Sequence, residues 1–280
     1  MSDDLDSRQS RREPTAASTA DEDAAIWEAV GRSWVASGRQ RIWRRHSDHI
    51  TGDLLCRWLR PGSGASLKTD LFDEALSDGL YEIMSAYSHT VHGIDLSVAT
   101  ARAARTRHPG MAVRVADIRD LPYPDETFET VISLSTLDHF DSTRDIERSL
   151  GEIRRVTAPR GRLVLSLDNP LNPKIALRAR LNERLMRKTG LVPYHCGVTL
   201  RPAAMREAVE RAGYRVLERT AIVHCPRVSA VWLGGLIERA SLPGLAPAFL
   251  AALHPFELLE RLPTRYLTGH FSALLAEVRD

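Results

Sequence analysis

Lysine is nearly absent from this chain: of 38 basic residues only Lys68, Lys174 and Lys188 are lysine. The arginine bias is that of a chain encoded by a G+C-rich bacterial genome. Arginines are dispersed and the net charge is only +2, so no dedicated nucleic-acid surface is expected. Cysteine is sparse, with Cys56, Cys196 and Cys225 fitting a reducing cytoplasm rather than a disulfide framework. The polar N-terminus has no apolar leader, and the most apolar region, near residues 228–260, is interrupted by Glu238, Arg239, Pro243 and Pro247. Stable membrane insertion is therefore not expected, and a cytoplasmic location is. Glycine is missing between Gly64 and Gly79, a gap that contains the charged run LKTDLFDE.

With 280 residues, 43% of them hydrophobic, the chain can bury one sizeable core with accessory segments. Residues 1–24 have little to bury and are expected to be disordered. In residues 25–61, Ile26, Trp27, Val30 and Trp34, then Ile42, Trp43, Ile50, Leu54, Leu55 and Trp58, recur at helical spacing before Pro61. This predicts two amphipathic helices that form a cap, a cover rather than a core.

From residue 62 to 280, short apolar runs alternate with helical patterns. Strands are expected at Ser66 to Asp70, Thr90 to Ile94, Ala112 to Val115, Thr130 to Leu134, Arg162 to Leu167, Tyr214 to Val223 and Gly269 to Val278. Helices are expected near Gly79 to Ser88, Val98 to Arg107, Ser142 to Arg155, Pro173 to Lys188 and Pro202 to Ala212. Such alternation predicts a doubly wound α/β sheet, with residues 228–261 a helical insertion before the last strand. Ligands in such sheets bind at the carboxyl ends of the strands.

Asp95, ending the second expected strand in GIDLS, stands where a nucleoside ribose needs an acceptor for two hydroxyls; a helix cap explains it equally well. Asp117 and Ile118 follow the third strand, and Ser135 and His139 follow the fourth in STLDHF. Four blocks in order, GIDLS, ADIRDLPYPDETFETVIS, STLDHF and SLGEIRRVTAPRGRLVLSLDN, resemble the class I S-adenosylmethionine-dependent methyltransferases over about 80 residues. The resemblance implies a seven-stranded, mostly parallel, Rossmann-like sheet with an antiparallel last strand, and S-adenosyl-L-methionine as cofactor. By position it implies that Asp95 and Leu96 meet the ribose, Asp117 and Ile118 the adenine, and the Ser135 to Phe140 segment the methionine moiety and acceptor. In the turn Ala158 to Gly161, Arg160 replaces a family glycine, and Gly161 is expected to keep the left-handed conformation.

The departure is LKTDLFDE, which stands where the family carries a glycine-rich loop; the blocks KTDLFDEA and STLDHF together resemble a subset of bacterial methyltransferases. On the usual loop path, non-glycine residues at positive φ would each cost about 1 to 2 kcal/mol and crowd the cofactor. On another path, side chains replace backbone contacts: Asp70 or Asp73 with the ligand ammonium, Lys68 with its carboxylate.

Methyl transfer needs alignment, exclusion of water and in some cases a base, and His139 is the base candidate. Asn169, Tyr194, His195 and His224 are expected to line the acceptor pocket, with His46, Asp48 and His49 on the lid. The His195-Cys196 and His224-Cys225 pairs raise the question of zinc, but their spacing is not that of known sites, and no metal is expected. The leading expectation is O-methylation of a small molecule. The alternatives are a catalytically inactive methyltransferase-like binding or assembly subunit, and a nicotinamide-dependent reductase, which would need a glycine fingerprint and a Tyr-x-x-x-Lys pair that the chain lacks. The oligomeric state is open, a homodimer included.

Overall fold

The computed structural model describes residues 20–37, 40–178 and 197–279. The N-terminal cap is α1 (Ala20–Ser37) and α2 (Arg41–Trp58). There follow β1 (Ser63–Lys68), α3 (Phe72–Leu76), α4 (Tyr81–Tyr87), β2 (Ser88–Asp95), α5 (Val98–Arg107), β3 (Ala112–Val115) and β4 (Phe128–Leu134). The second half runs α6 (Thr143–Val156), β5 (Thr157–Asp168), α7 (Pro173–Arg178), α8 (Pro202–Arg211) and β6 (Tyr214–Ile222). The helices α9 (Arg227–Arg239), α10 (Leu245–Leu253) and α11 (Arg265–Thr268) then precede β7 (Phe271–Val278).

The seven strands form one sheet in the order β3-β2-β1-β4-β5-β7-β6. β1 pairs in parallel with both β2 and β4, while β7 inserts antiparallel between β5 and β6. This is the doubly wound arrangement expected from the strand and helix alternation, with the antiparallel last strand that the family resemblance implies. The chain winds outward from β1 to β3, then returns to place β4 on the other side of β1. The loops leaving β1 and β4 therefore diverge and open a crevice between them.

The central strands β4, β5 and β7 are buried along most of their length, which is why they read as nearly continuous apolar runs. One core cluster gathers Leu67, Ile94, Val131 and Leu163 with α6 and α8. The other gathers Val91, Ile132, Val164 and Leu275 with Leu54, Leu55 and Trp58 of α2. α2 is thus part of the core rather than a cover: Leu54 and Leu55 are wholly buried, and Trp58 Nε1 donates to Glu218 of β6.

Serine caps set two helix starts. Ser97 accepts from Thr100 N at the head of α5, and Ser142 accepts from Arg144 N at the head of α6. In the turn within β5, Arg160 itself takes the left-handed conformation at φ 58, contrary to the expectation for Gly161. Gly161 serves close approach instead, since a Cβ there would lie 2.7 Å from Ala158 O. Among the described residues no helix is long and apolar enough to cross a membrane.

Candidate functional site

A cavity of about 240 Å³ opens at the carboxyl ends of β1, β2 and β4, under α1 and α2. Its floor is built by Thr69, Asp70, Asp95, Leu96, Asp117, Ile118 and Ser135, and Phe72 and Asp73 flank it. These residues leave neighbouring parallel strands at the switch point, so the topology alone brings them together.

The glycine-free loop after β1 follows an unstrained path. Between Thr69 and Asp78 no residue has positive φ, and the first left-handed position is Gly79 at φ 56. Side chains organise the turn. Asp70 Oδ1 accepts from Phe72 N at 3.0 Å, and Asp95 Oδ2 accepts from Leu71 N at 3.0 Å. Beneath it, Lys68 Nζ donates to Asp70 O at 2.7 Å and to Glu74 Oε2 at 2.8 Å, while Glu74 Oε1 accepts from Leu80 N at 2.9 Å. Loop and short helix α3 are thereby one polar unit.

Lys68 therefore does not occupy its expected place. Its side chain is buried under the loop and does not line the cavity, so its charge is spent on the protein's own carbonyl and carboxylates. Burial alone would lower its basicity, but Asp70, Glu74 and Asp73 outweigh that and hold it above the ordinary amine range. Burial raises the Glu74 carboxyl, and Lys68 partly draws it back.

Asp95 is a partly buried carboxylate facing the cavity. Its pKa is pushed up to about 7, first by burial and then by the neighbouring charge of Asp70. Amides of Leu71 and Ser97 hold its two oxygens in place, at 3.0 and 2.8 Å. Asp70 and Asp95 together make this wall electronegative. Asp73 is answered by Arg44, whose Nη1 donates to its Oδ1 at 2.8 Å and whose guanidinium lies over the Phe72 ring at 4.6 Å.

Asp117 also lines the cavity, but Arg119 occupies its carboxylate. The Arg119 backbone amide and Nε bond to Oδ1, while Nε and Nη2 bond to Oδ2, at 2.7 to 3.0 Å. Three N–H donors thus converge on it, the single Nε hydrogen shared between both oxygens, which leaves about one of the roughly four acceptor positions of a carboxylate. Arg119 reaches on to Asp23 of α1 at 2.8 Å, and so ties the β3 loop to the cap. Ile118 is buried beside it.

Ser135 takes φ 50, an uncommon conformation for a residue other than glycine, and its Oγ donates to Asp138 Oδ2 at 3.1 Å. Asp138 Oδ2 in turn accepts from Asp168 N at 2.8 Å, locking the ends of β4 and β5 together. His139, in the one-turn helix after Ser135, lines the cavity with its ring 4.6 Å from that of Trp27, edge to face.

The roof is aromatic. Trp27 and Trp34, seven residues apart on α1, and Trp43 on α2 line the cavity with Phe72, Phe140 and Phe271. α1 is held at the head of α5, where Glu28 Oε2 accepts from Ser97 Oγ at 2.8 Å and Ala99 N at 3.0 Å. The Ala99 amide foremost, then the Arg32 guanidinium at 2.8 Å and the Ser97 hydroxyl, lower the Glu28 pKa to about 2. Gly31 permits the contact, since a Cβ there would lie 2.5 Å from Ser97 Oγ.

Of the expected lid residues on α2, none of His46, Asp48 and His49 lines the cavity; Trp43, Arg44 and Ser47 do. Asp48 accepts from Ser77 Oγ, and His49 is exposed near Asp53. The expected acceptor residues also lie elsewhere. Asn169 is buried, with Nδ2 donating to Tyr266 O and Gly269 O and Oδ1 accepting from Leu171 N. His224 is buried between Thr268 Oγ1 and Ala221 O. Both pin the chain that leads into β7 and leave no polar atom for a ligand. Tyr194 and His195 lie outside the described residues.

Of the His224 to Arg227 stretch expected at the acceptor pocket, Arg227 lines the cavity; Trp27 and Trp34 as a roof were not anticipated. The spacing of the two tryptophans was readable as one face of a helix. Its target was not, because docking onto α5 depends on residues about 70 positions away.

Residues 76–165 match the family model described as a methyltransferase domain. A Mycolicibacterium smegmatis protein named "Probable S-adenosylmethionine-dependent methyltransferase" is 26% identical over 143 residues, 51% of this chain and 50% of that protein. The demethylmenaquinone methyltransferase of Streptomyces griseus is 38% identical over 132 residues, 47% of this chain and 51% of that one. The chain thus spans about half the length of these relatives. Among solved structures, the 4+2 cyclase SpnF superposes with a TM-score of 0.59 at 16% identity, over 95% of this chain and 99% of that one. That likeness shows the fold alone, and proteins of one fold differ in chemistry.

Proposed function

We propose that this chain is an S-adenosyl-L-methionine-dependent methyltransferase that methylates a small organic acceptor, through oxygen in the first instance. The observation that carries the reading is the convergence of Asp70 and Asp95 at the switch point, Asp95 within the stretch that matches a methyltransferase domain and Asp70 six residues before it. The donor set fits the cofactor. Two carboxylates on one wall suit a ligand with positively charged sulfonium and ammonium groups and a ribose diol, and Leu96 and Ile118 offer apolar contact to a base. Bound there, the cofactor supplies a methyl group already activated by the sulfonium.

Asp95 would accept from the ribose hydroxyls and Asp70 would face the ammonium. Asp117 would grip Arg119 and keep an acceptor position facing the adenine. What remains for the protein is alignment and exclusion of water, which α1 and its tryptophans provide. His139, at the rim and in contact with Trp27, would take the acceptor proton. The aromatic roof favours a flat, largely apolar acceptor. Among the described residues at the cavity, Arg44 pairs with Asp73 and Arg119 with Asp117 and Asp23, which does not favour a phosphate backbone.

Calorimetric titration with S-adenosylmethionine and its demethylated product tests the cofactor. Saturable binding that Asp95→Ala weakens is the expected result, and no heat at millimolar ligand would refute the reading. Methyl transfer from labelled cofactor to a panel of phenols and hydroxylated quinones then separates an enzyme from an inactive binding subunit, which binds without turnover.

A further inference from the structure

Outside the cavity, His46 Nε2, Cys225 Sγ and a carboxylate oxygen of Glu257 lie within 4.8 Å of one another. His46 comes from α2, Cys225 from the turn after β6, and Glu257 from the helical turns after α10, so no local spacing in the sequence announces the cluster. His46 and Cys225 are buried, and Glu257 is nearly so. His46 Nε2 has no hydrogen-bond partner, and Glu257 Oε1 stands 3.5 Å away. An imidazole nitrogen buried without a partner is costly, and here it points at a thiol and a carboxylate. Glu257 is itself fixed, since its oxygens accept from His224 N at 3.0 Å and Cys225 N at 3.3 Å, the kind of outer support that orients a ligand.

We propose that His46, Cys225 and Glu257 bind a zinc ion that fastens the N-terminal cap to the helical insertion. One nitrogen, one sulfur and one oxygen donor form a borderline set that suits zinc better than calcium or magnesium. Bonds of about 2.0 to 2.3 Å put tetrahedral donors roughly 3.5 Å apart, so the three groups need to close by about 1 Å. Three protein ligands leave a fourth position for water. Binding requires the thiolate, so one thiol proton passes to solvent for each ion bound. Cys225 lies two residues before Arg227 and His46 one before Ser47, both of which line the cavity, so the ion would brace its wall from behind. The inference is independent of the methyltransferase reading.

The full chain, stripped with a chelator, is titrated with zinc and with cobalt. One ion per chain is expected, with a thiolate-to-cobalt charge-transfer band and a rise in Tm on adding zinc. Cys225→Ser should abolish the band, whereas Cys56→Ser and Cys196→Ser keep it. His46→Gln should weaken zinc binding beyond the 10- to 100-fold that loss of an outer-shell partner costs. Absence of the thiolate band from the wild-type protein would overturn the site whether or not the variants fold. Equal zinc affinity in wild type, Cys225→Ser and His46→Gln would overturn it as well.

Discussion

Lys68 and Glu74 form an ion pair at 2.8 Å with both side chains shut off from solvent, directly beneath the loop that faces the cavity. Desolvating two charges is expensive, and the pair is tolerated because Asp70 O and Leu80 N complete its hydrogen bonding. Removing one partner strands the other. Lys68→Met is expected to destabilise the fold by about 3 to 5 kcal/mol, and Lys68→Met/Glu74→Leu to recover much of that loss. Denaturant unfolding of the four proteins of this cycle measures it. A double variant no more stable than Lys68→Met would show that the loop depends on something other than charge pairing.

The raised pKa of Asp95 makes a claim about pH. A carboxyl at about 7 in the fold and near its ordinary 3.8 when unfolded stabilises the fold fully below about 4, and that contribution is lost as pH rises through 7. The gap corresponds to at most about 4 kcal/mol. Asp95→Asn cannot ionise, so its stability should fall less than that of wild type between pH 4 and 8. Parallel stability curves for the two proteins would place the pKa of Asp95 near its ordinary value.

The sheet was legible because buried parallel strands and amphipathic helices carry different periods, and the acids at strand ends were legible from their place in that alternation. Asp70, Asp95 and Asp117 face the cavity for topological reasons that order along the chain already contains. What order does not contain is the direction of a long side chain. Lys68 ends β1 as closely as Asp70 follows it, yet its stem runs beneath the loop towards Glu74. Asn169 and His224 follow strands too, but their polar atoms are spent on the chain leading into β7. The role of α2 in the core escaped notice because its apolar face is completed by β6 and β7 residues more than 150 positions away. Arg119 as the occupant of Asp117 was hidden for another reason: two residues apart, they show nothing in sequence to separate a site acid from a local ion pair.

The attachment of α1 through Glu28 predicts how the roof opens. Glu28 accepts at the positive end of α5, where the first amides lack helical partners. Glu28→Ala should leave the melting transition nearly unchanged while speeding amide exchange in α1 and raising the dissociation rate of a bound ligand several-fold. Exchange measured residue by residue separates this from general destabilisation, which would also speed exchange in the β1 and β4 cores.

His139 provides the sharpest division between proton transfer and mere proximity. If it takes the acceptor proton, His139→Gln should lower kcat by about 10²-fold or more, with little change in cofactor affinity. Its contact with Trp27 complicates that inference, because losing the ring also loosens the roof. Trp27→Leu serves as the control: it loosens the roof and leaves the base, so its kcat should fall by much less than that of His139→Gln. Equal losses of kcat in the two variants would assign catalysis to alignment alone.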